Sequence, residues 1–315
     1  MLKHAPEDDM RSSVHIYIWV NDLIRWLVSS RVSLIMYNSL NSLNREGREE
    51  HIKNKTFFES NRKLIVENSE ALADEFSRKT YSGVIDYLSS GSIRYLRGIR
   101  LSSFKQYTDS VIVPRNREVL IDVGAFFGES TKEICAYFAR LRPETEFYSL
   151  VMEPDKDNAA VCRANLKRKG INFSLEECAA GAINCNASFD GGMLGSSKLD
   201  KSGKMAVPVK TIDSICTEYG LKPTYIKYDI EGAEREALVG TEQTITLYRP
   251  RLAVSVYHSK EDLIYILKEM REKYPFYSFY VRHYSSFFAE TVLYCIPEEE
   301  YEESFDENTL LSAEE

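Results

Sequence analysis

The chain has 315 residues, of which 43% are hydrophobic and 28% are charged, and its formal net charge is −8. This composition is ordinary for a globular protein and provides enough chain for one large domain or two smaller ones. Residues 298–315 contain nine acids and no Lys or Arg, so the rest of the chain is close to neutral. The chain has no broad excess of basic residues that would indicate a nucleic-acid partner.

The six cysteines are scattered and form no CxxC pair, which argues against a zinc site or thioredoxin-like chemistry. They are typical of reduced, mostly buried thiols and therefore of a cytoplasmic protein. The acidic stretch 298–315 is expected to form a solvated, flexible tail.

Residues 1–112 are expected to form a mainly helical region that covers a cleft or mediates dimerisation. Within it, residues 14–37 are apolar and aromatic, but polar and charged side chains interrupt them, so they do not indicate a transmembrane span. Trp19 and Trp26 recur with leucines at helical spacing, which favours a packed or dimer-forming helix over contact with a membrane surface.

From about residue 117 the pattern changes to strands alternating with helices, which predicts a mostly parallel sheet. Parallel strands are expected at 118–123, 147–153, 172–179, 224–229 and 251–257. Helices are expected at 67–88, 130–141, 155–169, 211–219, 233–247 and 260–273, with a linker or exposed helix at 41–55. The runs 276–283 and 290–296 have no helix between them, so they are expected to close a seven-stranded sheet as an antiparallel pair.

The most informative segment is 118–131, EVLIDVGAFFGEST, in which a buried strand leads into a glycine-bearing turn and then a helix. Such a unit builds nucleotide sites in α/β proteins, and Asp122 stands where the strand ends. Gly124 and Gly128 form GxxxG rather than GxGxxG, which removes the close turn that the pyrophosphate of a dinucleotide uses. A tight strand-to-helix turn without a ligand is the structural alternative.

Acidic side chains follow the second and fourth parallel strands. Glu153 can accept both hydroxyls of a ribose, or it can stabilise the N-terminus of the next helix. Asp229 and Glu231 lie where open α/β sheets bind ligands, so they can act as general base, hydroxyl anchor or metal ligand. Glu234 is expected on the following helix, and acids that cap a solvated helix start are the alternative for this group.

Two histidines stand at the ends of later strands. His258 follows the fifth parallel strand, and His283 ends the first strand of the terminal pair. Either could abstract a proton from a hydroxyl near pH 7, although a lone histidine is more often structural.

The chain resembles the FkbM-type family of S-adenosylmethionine (SAM)-dependent methyltransferases over roughly residues 67–297. The resemblance rests on EVLIDVGAFFGEST (118–131), MEPDKDN (152–158), VKTIDSI (209–215), YIKYDIEGAEREALVGTEQTI (225–245), LAVSVYHSKEDL (252–263), YVRHYSSFFAETVLY (280–294) and, upstream, ADEFSRKTY (73–81). It implies an α/β, Rossmann-like class I methyltransferase domain over residues 113–297 that binds SAM and methylates a hydroxyl oxygen.

The resemblance also implies which residues bind the cofactor. The residues that match positions lining its methionine side are Asp122, Gly124, Ala125, Phe126 and Gly128. Glu153, with Pro154 beside it, matches the ribose position. Ala179 and Ala180 belong to the loop 178–181, which is expected to approach the adenine.

We therefore expect a cytoplasmic O-methyltransferase whose acceptor is a sugar or glycan precursor or a small polar metabolite. Asp229 is expected near the reactive methyl, and either it or His258 would take or orient the proton of the acceptor hydroxyl. Glu231 would hold the substrate or, as the less favoured alternative, a divalent cation; no resident metal is expected.

Two other classes of protein remain open from the sequence. One is a non-catalytic module that keeps the fold and recognises a partner or glycan, and the other is an NAD-dependent oxidoreductase. Substrate selection is assigned to the N-terminal helices and to the loop 188–204, and a homodimer is a further expectation.

Overall fold

The computed structural model describes residues 45–190, 198–199 and 205–298. The helix expected within residues 14–37, most of the loop 188–204 and nearly all of the acidic tail lie outside the described residues. No helix in the described part is both long and apolar enough to cross a bilayer.

Helices and strands alternate through most of the described chain. The helices are α1 (Arg45–Ser60), α2 (Arg62–Glu70), α3 (Glu75–Ser90), α4 (Glu129–Leu141), α5 (Lys156–Arg168), α6 (Ile212–Tyr219), α7 (Glu234–Val239), α8 (Glu242–Tyr248) and α9 (Lys260–Lys273). The strands are β1 (Arg117–Val123), β2 (Glu146–Met152), β3 (Phe173–Glu176), β4 (Ala179–Ala180), β5 (Cys185–Asp190), β6 (Lys198–Leu199), β7 (Met205–Lys210), β8 (Tyr225–Tyr228), β9 (Arg251–Ser255), β10 (Tyr277–His283) and β11 (Thr291–Pro297).

The main sheet has seven strands in the order β10-β11-β9-β8-β1-β2-β3. β3, β2, β1, β8 and β9 pair in parallel, and β11 is antiparallel to both β9 and β10. In the register, Asp122 of β1 stands opposite Val151 on one side and Lys227 on the other. The predicted mostly parallel sheet with a terminal antiparallel pair is therefore confirmed.

The central strands are buried along nearly their whole length. Every residue of β8 and β9 is buried, as are the last four residues of β1. Helices cover both faces of such a sheet, so its strands are apolar runs rather than alternating patterns. This is why short apolar runs predicted their positions to within a few residues.

A second, smaller sheet of four strands, in the order β4-β7-β5-β6, was not predicted. β5 reads CNASFD and β7 reads MAVPVK, so one is largely polar and the other contains a proline. Neither is typical of a strand by sequence, because strands are depleted in proline, Asn and Asp.

Two predicted helices are interrupted. The helix expected over 67–88 breaks between α2 and α3, where Leu72 is buried against β10 and the N–H of Ala73 donates to the carbonyl of Phe279 at 2.9 Å. The helix expected over 233–247 breaks at Gly240, whose backbone packs so closely that an added Cβ would lie 2.1 Å from the carbonyl oxygen of Gly181. In both places a tertiary contact overrides an unbroken helical pattern.

The helices α1 to α3 share the core of the sheet. α3 packs on the edge strand β10, and Asn68 of α2 donates to the carbonyl of Ile264 in α9 at 2.9 Å. Asp74 caps α3 by accepting from the N–H of Ser77, and its carboxylate pairs with Arg282 of β10 at 2.8 Å. These contacts fix the described N-terminal helices to the antiparallel end of the sheet.

Candidate active site

A cavity of about 580 Å³ opens at the C-terminal ends of β1, β2 and β8. Its size falls within the range of small-molecule sites, and its place is where open α/β sheets bind ligands. The sequence-predicted residues that line it are Gly124, Ala125, Phe126, Glu153, Pro154, Ala179, Ala180, Asp229 and Glu231. The structure thus brings together most of the residues that were expected to form one site.

The turn after β1 brings two strand ends into direct contact. Gly124 has φ +80°, and a Cβ added there would lie 2.0 Å from the carbonyl oxygen of Asp229. The N–H groups of Gly124 and Ala125 both donate to the carbonyl of Met152, at 3.0 and 3.1 Å. Only glycine fits this position, because a side chain would meet backbone that cannot move aside.

Gly128 has a different role from the one expected. It does not line the cavity; it precedes α4 with φ +81°, and a Cβ would lie 2.9 Å from the Sγ of Cys162 in α5. The glycine is therefore required by the close packing of α4 on α5, which corrects its expected place beside the ligand.

Asp122 also lies behind the cavity wall rather than in it. Its side chain is fully buried, and one carboxylate oxygen accepts the hydroxyls of Ser130 and Thr131, each at 2.6 Å. The other oxygen is 3.0 Å from the ammonium of Lys227. Because these partners surround the carboxylate, Asp122 acts on the cavity through Ser130 and Lys227, which line it, instead of by direct contact.

Lys227 of β8 connects the acid of β1 to the glycine turn. Its ammonium donates to the carbonyl of Gly124 at 2.7 Å while it pairs with Asp122. Burial acts to lower the pKa of Lys227, but Asp122 and Asp229 outweigh it and hold that pKa above its usual value. The ammonium therefore stays charged and fixes the turn.

Glu153 presents a buried carboxylate at the end of β2. One oxygen accepts the N–H of Phe126 at 2.9 Å and the other accepts the N–H of Asp155 at 3.0 Å. A carboxylate has about four acceptor positions, so capacity remains toward the cavity. Burial raises the pKa of Glu153 to about 7. The alternative role as a helix-terminal acid belongs to Asp155, which accepts from two N–H groups of α5.

Asp229 follows β8 and is held by two tyrosines. Its carboxylate accepts the hydroxyl of Tyr107 at 2.8 Å and that of Tyr257 at 3.0 Å. The pKa of both phenols lies well above the usual value, mainly because they are buried and secondly because of the charge of Asp229. Both tyrosines therefore remain protonated donors and fix the orientation of the carboxylate.

His258 lies beside the cavity but does not line it, and its side chain is only 7% exposed. Its Nδ1 is 3.0 Å from a carboxylate oxygen of Glu234, and its Nε2 is 3.6 Å from Asp229 and 3.9 Å from Glu231. Burial acts to lower the pKa of His258, but Glu234, Asp229 and Glu231 outweigh it and raise that pKa. Glu234, which starts α7 as expected, is fully buried against this ring.

His283 is not part of the site. It is fully buried between the terminal strands, where its Nδ1 is hydrogen-bonded with the hydroxyl of Thr291 at 2.9 Å. Burial lowers its pKa to about 4, so the ring is neutral and structural. Of the two roles that the sequence left open for His283, the structure therefore favours the structural one.

The cavity lining is strongly acidic. The carboxylates that line it are those of Glu129, Glu153, Asp229, Glu231 and Glu290. The lining also contains the ammonium group of Lys227, but this group is already paired with Asp122. Such a surface favours a ligand with net positive charge. SAM has a sulfonium and an ammonium against one carboxylate, so the residues present fit SAM.

Several lining residues were not predicted: Gln106, Tyr107, Lys227, Tyr257, Phe287 and Glu290. Tyr257 directly precedes the predicted residue His258, and Lys227 lies two positions before Asp229, so these neighbours could have indicated both residues. Tyr107 precedes β1 and reaches Asp229 across 122 positions of the chain, so no local pattern indicates it.

Comparison with known proteins agrees with this geometry. Residues 122–277 match the family model described as the methyltransferase FkbM domain. No curated protein matches the chain. The crystal structure of an FkbM methyltransferase from Methylobacillus flagellatus KT is 24% identical with a TM-score of 0.65, and the match covers 76% of this chain and 60% of that one. The chain thus spans 60% of that protein's length, and the likeness shows the shared fold.

Two further solved structures are less similar. An rRNA methylase from Streptococcus thermophilus is 10% identical, with coverage of 59% of this chain and 90% of that one. NSun6 from Pyrococcus horikoshii is 14% identical, with coverage of 62% and 51%. At a TM-score of 0.39 each, neither adds to the fold assignment.

Proposed function

The chain belongs, through residues 122–277, to the methyltransferase FkbM domain family and so to the SAM-dependent methyltransferases. From this premise we propose that it methylates a hydroxyl of a sugar or glycan precursor or of a small polar metabolite. The observation that carries the proposal is the acidic cavity of about 580 Å³ at the C-terminal ends of β1, β2 and β8.

The proposed cofactor contacts follow from the cavity lining. Glu153 has acceptor capacity toward the cavity and is suited to the two hydroxyls of a ribose. Ala179 and Ala180 of β4 offer a small, apolar wall for a flat base. Gly124 lines the cavity, and its lack of a Cβ lets the turn lie directly against the backbone of Asp229. When bound, SAM supplies a methyl group on a sulfonium that an acceptor oxygen can attack.

The proposed acceptor site lies at Asp229. Its carboxylate lines the cavity, and two tyrosine hydroxyls hold it in place, so it is positioned to accept a hydrogen bond from an incoming hydroxyl. Glu231, which also lines the cavity, is suited to a second hydroxyl of the same acceptor. A polyhydroxylated acceptor matches two such carboxylates better than a lone alcohol does.

Calorimetric titration with S-adenosylhomocysteine (SAH) tests the cofactor site directly. We expect a 1:1 complex, and no heat of binding at millimolar ligand would refute the proposal. Incubation with isotopically labelled SAM and a panel of sugars, sugar nucleotides and amines, followed by mass spectrometry, tests the acceptor class. Labelling of amines without any labelled hydroxyl compound would refute oxygen methylation.

A further inference from the structure

A cluster of ligand-type side chains stands at the edge of the cavity. Asp229, Glu234 and His258 each offer one atom, and these atoms all lie within 4.8 Å of one another. We propose that the protein binds a divalent first-row cation here, with the Nε2 of His258 and the carboxylates of Asp229 and Glu231 as ligands. Cation binding does not depend on the proposed function, whereas its use on an acceptor hydroxyl rests on that function.

His258 gives the first reason for a cation. Its side chain is 93% buried, and neither ring nitrogen has a hydrogen-bond partner among the described residues, although Nδ1 forms an ion pair with Glu234. Nε2 lies 3.6 Å from Asp229 and 3.9 Å from Glu231, which is too long for hydrogen bonds. Two ligands with bonds of about 2.2 Å to a shared ion are this far apart when the angle at the ion is about 110–125°.

The other ring nitrogen is held as in a metal site. Nδ1 is 3.0 Å from a carboxylate oxygen of Glu234, which is fully buried and also accepts the N–H of Ile230 at 2.8 Å. Histidine ligands usually donate their second N–H to a carboxylate, which fixes the tautomer and the direction of the ring. Glu234 therefore directs Nε2 of His258 toward Asp229 and Glu231.

The carboxylates of Asp229 and Glu231 are also held in position by their surroundings. Asp229 accepts hydroxyls from Tyr107 and Tyr257, and each of its oxygens keeps a second acceptor position for a cation. Glu231 has φ +58°, a backbone conformation that side-chain-bearing residues rarely adopt. Such strain persists where the surroundings impose it, commonly at ligand sites, and here it sets a carboxylate within 3.9 Å of Nε2.

The formal charge of the cluster is negative, which favours a cation. Three carboxylates surround one imidazole, and the ion pairs of His258 are with these three acids. One imidazole with carboxylate ligands suits Mn²⁺ or Zn²⁺ better than Ca²⁺, which prefers oxygen alone. A hydroxyl bound to such an ion loses its proton more easily, so the ion would assist the acceptor hydroxyl beside Asp229.

Titration of the full chain with Mn²⁺, followed by electron paramagnetic resonance without SAM, tests the site. We expect one Mn²⁺ per chain and a ¹⁴N modulation from the imidazole. His258→Gln should abolish the modulation and weaken binding at least 100-fold, and Glu234→Gln should weaken it about 10–100-fold. Glu261→Gln removes an exposed acid of α9 and should leave binding unchanged.

The spectrum of the wild-type protein tests the cation site even if a variant fails to fold. No bound Mn²⁺ at millimolar concentration, or bound Mn²⁺ without ¹⁴N modulation, would overturn the proposal. SAH titration of the same samples separates it from the proposed function. SAH binding without Mn²⁺ binding would refute only the cation site, and Mn²⁺ binding without SAH binding would refute only the cofactor site.

Discussion

Glu153 should make SAH binding strongly dependent on pH. Its pKa in the free protein is about 7, because burial disfavours the carboxylate. In the proposed complex ribose hydroxyls would donate to Glu153 and favour its ionised form, so binding should lower the pKa of Glu153 toward the usual value near 4.5. Affinity should then be constant above about pH 8 and fall about 30-fold by pH 5.5, from the fraction of Glu153 that is protonated.

Calorimetry in buffers of different ionisation enthalpy measures the proton directly. At pH 6 about nine tenths of the free Glu153 is protonated, so binding should release about 0.9 proton. In Glu153→Gln the affinity should be weaker at pH 8 and nearly independent of pH between 5.5 and 8.5. Asp157→Asn removes an exposed carboxylate of the same helix region and should keep the wild-type pH dependence. Equal pH dependence in Glu153→Gln, or no proton release at pH 6, refutes the reasoning.

The same group affects the stability of the free protein in the opposite direction to most carboxylates. Unfolding returns the pKa of Glu153 from about 7 to about 4.5, so the folded state binds more protons between these values. Stability therefore falls as pH rises from about 4.5 to 7, by up to about 3 kcal/mol from this group. SAH should restore part of this loss above pH 7.

Three substitutions give further expected outcomes. Gly124→Ala should cost at least about 3 kcal/mol of unfolding free energy and abolish SAH binding, because its Cβ meets the carbonyl of Asp229 at 2.0 Å. Arg251→Met should cost about 3–5 kcal/mol, because it leaves the fully buried Glu118 without its charged partner, and urea unfolding measures this. Tyr107→Phe should cost about 2 kcal/mol by the same measurement, since Asp229 loses one of its two phenol donors.

Gly220→Ala is a matched control for Gly124→Ala. Gly220→Ala adds the same methyl group at φ +62°, but nothing lies within 4 Å of its Cβ, so it should cost only about 1 kcal/mol and leave SAH binding intact. Similar losses for Gly124→Ala and Gly220→Ala would contradict the argument from close approach. A loss below about 1 kcal/mol for Arg251→Met would contradict the argument from buried charge.

The sequence predicted the main sheet well because local patterns determine it. β1 and β9 are apolar runs that are buried, and the terminal pair has no helix between its strands. The smaller sheet was missed because β5 is polar and β7 contains a proline. The helix breaks were missed because contacts with distant residues, such as that of Leu72 with β10, decide them.

The site was predicted in part, and the omissions have one cause. Glu153 and Asp229 were found because each directly follows a strand of the parallel sheet. Asp122 is the second-last residue of β1, yet its carboxylate pairs with the ammonium of Lys227 behind the cavity wall, and no spacing rule reveals such a pairing. Tyr107 was missed because only the folded chain brings it to Asp229.

The position of β11 has a consequence for synthesis of the protein. Tyr257 and His258 follow the end of β9 after one residue. The edge of β9 that faces away from β8 is paired by β11, and beyond the strand the N–H of Val256 donates to the carbonyl of Thr291 at 2.9 Å. A ribosome makes β11 after every other strand of this sheet. This edge of β9 can therefore be paired only after the last strand of the sheet has been made, and until then it is an exposed strand edge in the growing chain.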